Sequence, residues 1–191
     1  MTTRLGISFF ATLFLAAVVW ADWPQLQGDA GRSGNAPGEI LKTPLGLVAA
    51  VPLTDGVQAA PVVADGVVYV IDGSGVVFAI DTQTFKVKWR FATKGGAGNC
   101  NNVAAPAVVG KYLHLGTAAG FYYVLNRASG DMVKTIDCAE PIFSAPAIGK
   151  SRVYFATLGA RIYAVSPEGE VEWTWDFVKE VVGFNGDRWL G

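Results

Sequence analysis

Ala60-Pro61-Val62-Val63, Val67-Val68-Tyr69-Val70 and Gly75-Val76-Val77-Phe78-Ala79-Ile80-Asp81, closing at Trp89, make up one unit of a repeat that decides the fold. The unit returns as Ala105-Pro106-Ala107-Val108, Tyr112-Leu113-His114-Leu115 and Gly120-Phe121-Tyr122-Tyr123-Val124-Leu125-Asn126. Its third copy is Ala145-Pro146-Ala147-Ile148, Val153-Tyr154-Phe155-Ala156 and Ala160-Arg161-Ile162-Tyr163-Ala164-Val165-Ser166, closing at Trp173. The prolines at 61, 106 and 146 lie 45 and 40 residues apart (106 − 61 and 146 − 106), and the marks at 75, 120 and 160 keep the same intervals. A period near 40 built from strands alone is that of a β-propeller blade, not of helical repeats.

Each copy carries four strand signals separated by turn residues. In the first copy they cover Ala60 to Val63, Val67 to Ile71, Val76 to Ile80 and Val87 to Phe91. Asp65-Gly66, Asp72-Gly73-Ser74-Gly75 and Asp81-Thr82-Gln83-Thr84 supply the turns, where glycine takes positive φ and aspartate bonds back to the backbone. Proline is tolerated at the first residue of a strand, so Ala-Pro marks the innermost one. The outermost strand alternates: Phe85, Val87, Trp89 and Phe91 point one way, Lys86, Lys88 and Arg90 the other. In the third copy Val171, Trp173, Trp175 and Phe177 oppose Glu170, Glu172, Thr174 and Asp176. The apolar face packs on the next blade and the charged edge resists edge-to-edge pairing. The second copy departs from its siblings, with Lys134 at the place of Trp89 and an aromatic cluster, Phe121-Tyr122-Tyr123, that reads as inter-blade packing.

Ahead of the first copy, Leu47 to Leu53 reads as an orphan strand leading into it. No fourth copy follows the third. The expected architecture is all-β: a partial β-propeller of about three four-stranded antiparallel blades, with repeats near residues 58–91, 103–136 and 143–175, plus that N-terminal strand. Closed propellers hold about four to eight blades, so the chain reads as a fragment or as the first part of a larger molecule.

Residues 1–21 read as a cleaved export signal. Arg4 precedes an apolar run from Leu5 to Trp20, short for a membrane span, and Ala21 offers a small residue at the cut. No cysteine lies near that cut, so lipid attachment there is excluded, and the 170 residues that remain (191 − 21) are expected in the periplasm or outside the cell. A net charge of −1 gives no footprint for nucleic acid. Charged residues make up only 16 % and hydrophobic ones 51 %, which suits strands buried on both faces.

Candidate chemistry is sparse. Cys100 and Cys138 precede the second and third Ala-Pro pairs and share one rim, so a disulfide between neighbouring linkers is open if their Cα atoms come within about 7 Å. Two separate thiols are the alternative. His114, the single histidine, aligns with Tyr69 and Tyr154 and reads as filling a tyrosine-sized slot. Asp72 and Asp81 bracket one strand and stand roughly 17 Å apart, too far for an acid/base couple. No residue stands out as catalytic and no metal-ligand pattern is present. The loop Lys94-Gly95-Gly96-Ala97-Gly98-Asn99-Cys100-Asn101-Asn102 is either a long inter-blade linker or a rim binding loop in which Asn99, Asn101 and Asn102 meet a ligand.

Val67-Val68-Tyr69-Val70, Gly75 to Asp81 and Lys88-Trp89, with their third-copy counterparts, resemble the PQQ-like β-propeller repeat of quinoprotein alcohol dehydrogenases and of the outer-membrane assembly lipoprotein BamB. Asp22-Trp23-Pro24-Gln25-Leu26-Gln27-Gly28-Asp29 looks like the start of exported proteins carrying these repeats. The resemblance covers residues 22 to 177. For the enzymes it implies a quinone in the central channel with a vicinal disulfide, a stacking tryptophan, calcium and a catalytic aspartate. Here Asn101 follows Cys100, so the vicinal pair is missing, and PQQ with calcium is an expectation for a complete protein only. The expected role is a non-catalytic binding or scaffold module whose rim takes a protein, polysaccharide or small ligand. The alternative is the N-terminal part of a PQQ-dependent dehydrogenase or of a larger redox protein.

Overall fold

The computed structural model describes residues 22–38, 40, 42–94 and 102–183. Within them lie three antiparallel sheets of four strands, each sheet in chain order. The first blade is β1 (Val62–Ala64), β2 (Val67–Ile71), β3 (Val76–Asp81) and β4 (Val87–Ala92). The second is β5 (Ala107–Val109), β6 (Tyr112–Gly116), β7 (Phe121–Asn126) and β8 (Met132–Asp137). The third is β9 (Ala147–Ile148), β10 (Val153–Ala156), β11 (Arg161–Val165) and β12 (Val171–Asp176). The short strands β1, β5 and β9 are neighbours, so the sheets fan out from a common axis as blades of a partial propeller. All three blades carry one irregularity at the same register, between Ala79 and Ile80, Val124 and Leu125, and Ala164 and Val165. A bulge repeated in every copy twists each outer strand in the same way.

Alternation along the middle strands builds the core. Tyr123 and Leu125 of β7 face the first blade, joining Tyr69, Ile71, Val77 and Ala79, with Trp89 and Phe91 of β4 packed against them. Tyr122 and Val124, one residue out of phase, face the third blade and meet Val153, Phe155, Tyr163 and Val165. The aromatic cluster of the second copy is therefore split between two interfaces: Tyr123 lies edge-on to Phe91 at 5.7 Å, and Tyr122 stacks on Phe155 at 3.8 Å. A sheet buried on both faces needs apolar residues at every position, and β7 supplies them.

The expected strand over Leu47 to Leu53 does not form. No described strand lies alongside to accept its backbone hydrogen bonds, and Leu47 is 88 % exposed. Val51 and Leu53 nonetheless pack on Val70, Phe78 and Ile80, covering the outward face of the first blade.

A different N-terminal segment ties the blades together. Trp23 exchanges two backbone hydrogen bonds with Val63 of β1 (2.7 and 2.9 Å), and Pro24 O accepts from Val108 N of β5 at 2.7 Å. The side-chain oxygen of Gln25 accepts from Ile148 N of β9 at 3.1 Å, and Arg32 donates to Ala145 O. Residues 23–32 thus strap the inner edge of all three blades.

Candidate functional site

Strand direction places the inter-blade linkers and the turns between second and third strands at one end of the blades, and a repeated polar position organises that end. Asp72, Thr117 and Thr157 each follow the second strand of a blade, three residues after Tyr69, His114 and Tyr154. Asp72 Oδ1 accepts from Val76 N, Ser74 N and Ser74 Oγ, while Oδ2 accepts from Asp55 N and the Thr54 hydroxyl. Thr117 Oγ1 accepts from Phe121 N and donates to Phe121 O; Thr157 Oγ1 accepts from Arg161 N in the same way. Burial opposes the charge of Asp72, but the hydroxyls of Thr54 and Ser74 and the amides of Val76 and Asp55 outweigh it and hold the carboxyl below its usual value.

Asp72→Ala strips the acceptor from three part-buried amides and releases the Thr54–Asp55 linker, so a loss of about 2–4 kcal/mol is expected. Asp72→Thr, which installs the side chain used by the sister blades, should lose less than half of that. Urea denaturation of both variants checks the pair.

The linkers dock onto these turns. Gly73 N donates to Gly56 O, Ile142 N to Thr117 O, and Leu158 N to Pro141 O. Asn102, expected at the rim loop, is buried: its Oδ1 accepts from Ala118 N of the second blade, and its Nδ2 lies 3.5 Å from Gly73 O of the first. It joins two blades. Asn99, Asn101 and Cys100 lie outside the described residues, and so does the expected pairing of Cys100 with Cys138. Cys138 is buried, and desolvation pushes its thiol up to about 11, which makes it a poor nucleophile.

Beside it, the Glu140 carboxylate accepts from the Thr157 hydroxyl and faces Arg161 Nη2 at 3.6 Å, while Arg161 Nε reaches Asp176 at 3.5 Å. Gly159 leaves room for that carboxylate, since a Cβ there would stand 2.5 Å from it and displace it. Asp72 makes the bonds back to the backbone expected of its turn, whereas Glu140, Thr117 and Thr157 escaped the sequence reading. The Asp72/Thr117/Thr157 series was visible in the repeat alignment, three residues before the marks at 75, 120 and 160.

His114 sits within the blades. Its Nε2–H donates to Pro167 O at 2.9 Å, and its Nδ1 accepts from the Tyr122 hydroxyl at 3.0 Å. Both ring nitrogens are thereby satisfied in the neutral form. Burial pushes the imidazole down to about 4.

Asp72, Asn102, Thr117, Glu140 and Thr157 are used in holding turns and linkers, and the end offers to solvent both polar residues (Asp55, Gln58, Lys94 and Asp137) and apolar ones. Val57, Val103 and Phe143, each within four residues ahead of an Ala-Pro pair, are 47 %, 43 % and 43 % exposed. Among the described residues no three His, Cys, Asp or Glu lie together as metal ligands. The buried carboxylates of Asp72 and Glu140 already hold hydroxyl, amide and guanidinium partners. The described blades therefore do not fit a quinone-bound cation. No helix of the described residues is long and apolar enough to cross a membrane.

A family profile described as "Outer membrane protein assembly factor BamB" matches residues 47–141. The quinohemoprotein alcohol dehydrogenase of Comamonas testosteroni is 32 % identical over 141 residues, 64 % of this chain and 20 % of its own length. Its crystal structure superposes with a TM-score of 0.62, at 25 % identity, over 81 % of this chain and 27 % of that one. The quinoprotein alcohol dehydrogenase PedH of Pseudomonas putida is 29 % identical, covering 68 % of this chain and 24 % of its own. BamB from Moraxella catarrhalis shares the fold, with a TM-score of 0.57 at 22 % identity over 65 % of this chain and 41 % of that one. The chain spans about a fifth to a quarter of the curated dehydrogenases it matches.

Proposed function

From a chain that belongs to the PQQ-like β-propeller repeat family, we infer a non-catalytic binding or scaffold module, exported after cleavage ahead of Asp22, that holds its partner at the linker rim. The observation that carries this reading is the division of labour at that rim. The buried polar side chains there, Asn102, Glu140 and Thr157, are bonded within and between blades, while Val57, Val103 and Phe143 face solvent at the same end. Exposed apolar residues framed by satisfied polar groups suit a protein partner better than a reacting substrate. Asn99 and Asn101 are proposed as further contacts for that partner.

A second reading, the N-terminal part of a PQQ-dependent dehydrogenase, is favoured by the 32 % identity to the Comamonas enzyme. One experiment separates the two. The polypeptide from its complete reading frame is recovered from the exported fraction, its amino terminus is read by mass spectrometry, and it is titrated with PQQ and Ca2+ before a dye-linked alcohol assay. A chain beginning at Asp22, with no saturable quinone binding and no turnover, is the expected result. Turnover overturns the scaffold reading, and a retained leader overturns cleavage.

A further inference from the structure

The two seams between blades are closed by different chemistry at one register. Tyr69 and His114 hold the same place in the second strands of the first and second blades, opposite Val62 and Ala107. At the first seam the Tyr69 hydroxyl donates to Arg127 O at 3.3 Å, and the Trp89 indole, seated over Gly130, donates to the same oxygen at 2.9 Å. Neither donor gains a proton in acid. At the second seam Pro167 O, one residue after Ser166, takes the place of Arg127 O, one residue after Asn126. Its donor is His114 Nε2–H at 2.9 Å, and Lys134, beside Gly169, stands at the register of Trp89.

One protonation state satisfies this site. Nε2 faces a carbonyl and Nδ1 faces a hydroxyl, so the neutral ring with its proton on Nε2 uses both partners. A second proton, on Nδ1, would turn the Tyr122 hydroxyl from donor to acceptor, and the hydrogen of that buried hydroxyl would have no acceptor left among the described residues. No carboxylate bonds the ring. Within the second blade His114 lies between Ala107 and Val124, with Lys134 beyond them and already paired with Glu170. From the third blade Glu168, on an exposed turn, attracts a charged ring, and burial outweighs that attraction. Val153, Phe155 and Val165 fill the rest of the seam with the phenols of Tyr112 and Tyr163 and the Cys138 thiol. Asp137, Glu140 and Arg161 act on Cys138, toward the linker.

We propose that this seam is an acid-opened joint: protonation of His114 parts the second and third blades along their outer strands, while the N-terminal strap holds their inner edges and the first seam stays shut. The strap bonds that serve as hinge join Pro24 O to Val108 N and the Gln25 side chain to Ile148 N, and none of these groups titrates. Opening admits water to the imidazole and uncovers Cys138, which is buried in the same cluster as Tyr122 and Phe155. The joint stands independently of what the linker rim binds.

Cys138 serves as a reporter inside the joint. The exported chain carrying Cys100→Ser, which leaves Cys138 as a free thiol, is treated with 4,4′-dithiodipyridine between pH 7 and 5. Modification of Cys138 is read by peptide mass spectrometry and normalised to the urea-unfolded chain at each pH. The normalised rate is expected to rise about 20-fold over that range, because the open joint protonates His114 near 6.5 and the closed one only at about 4. Hydrogen exchange of the amides of β2 and β3, in the first blade, measures opening of the whole fold under the same conditions. At pH 5 their opening equilibrium is expected to lie at least about tenfold below that of Cys138. His114→Gln is expected to label at one rate from pH 7 to 5. Equal opening of Cys138 and of β2 and β3 at pH 5 would make the acid response global unfolding and overturns the joint. A wild-type rate that stays flat over the range overturns it too, as does a rise that survives in His114→Gln. The first two outcomes are read with His114 in place, so they decide the matter even if the His114→Gln chain does not fold.

Discussion

Tyr122→Ala is expected to cost about 5 kcal/mol, about a third or more of the protein's stability. Tyr122 is fully buried, stacks on Phe155 at 3.8 Å and donates its hydroxyl to His114 Nδ1 at 3.0 Å. Truncation opens a ring-sized cavity between the second and third blades, a change that costs about 3–5 kcal/mol for an aromatic in a packed core. It also leaves the buried imidazole nitrogen without its donor, for about 1–3 kcal/mol more. A domain of this size holds about 5–15 kcal/mol in all. Tyr122→Phe separates the two contributions: the ring stays, the hydrogen bond goes, and a loss of about 1–2 kcal/mol is expected. Urea unfolding monitored by far-UV circular dichroism gives both values. A Tyr122→Ala protein as stable as Tyr122→Phe would show that the interface collapses to fill the hole.

Stability should also fall by about 3 kcal/mol as pH drops from 6.5 to 4, with His114 as the main source. The sign follows from which state takes up the proton. The unfolded imidazole protonates near 6.5, while the folded one, desolvated between the second and third blades, resists until about 4. Between those values the unfolded state binds more protons, so each pH unit lowered favours unfolding by about 1.4 kcal/mol. The contribution is complete above pH 6.5 and gone below 4. His114 is the single histidine of the chain, so no other histidine shares this window. Asp72, held below its ordinary value of 3.8, contributes above that pH and loses its contribution only at more acid values. His114→Gln keeps a polar side chain without a proton to gain, and its stability should be flat over the window although lower at pH 7. Denaturant titrations at half-unit pH steps test this. A wild-type curve parallel to the variant's would mean that His114 is not buried neutral.

Most of the blade architecture was legible before any coordinates. Strand alternation broken by Asp-Gly and Gly-rich turns, repeated at the spacing of the three prolines, already implied three four-stranded sheets side by side. The second and third strands of the first blade, expected from Val67 and Val76, begin at those residues. Leu47 to Leu53 misled because its composition suits a strand, yet a strand exists only where a neighbour accepts its hydrogen bonds, and composition cannot show the neighbour. The candidate site was far less legible. Asn102 carries the same side chain as Asn99 and Asn101, and only packing shows it closed between two blades. Nothing in the sequence sets Glu140 apart, and only the fold brings Thr157 and Arg161 around it.

By itself the sequence determined the repeat, the strands within it and the turns between them, because these depend on contacts between residues near in the chain. The strap from Trp23 to Arg32, the seating of Trp89 on Gly130, the neutral state of His114 and the exposure of Trp173 were decided by tertiary structure alone. Each depends on residues distant in sequence, such as Gln25 and Ile148 or His114 and Pro167, which local patterns of polarity do not encode. Phe85 shows the difference at a single position. In the sequence it continues the apolar alternation of an outer strand, and in the fold it fills the place where the following blades keep a glycine.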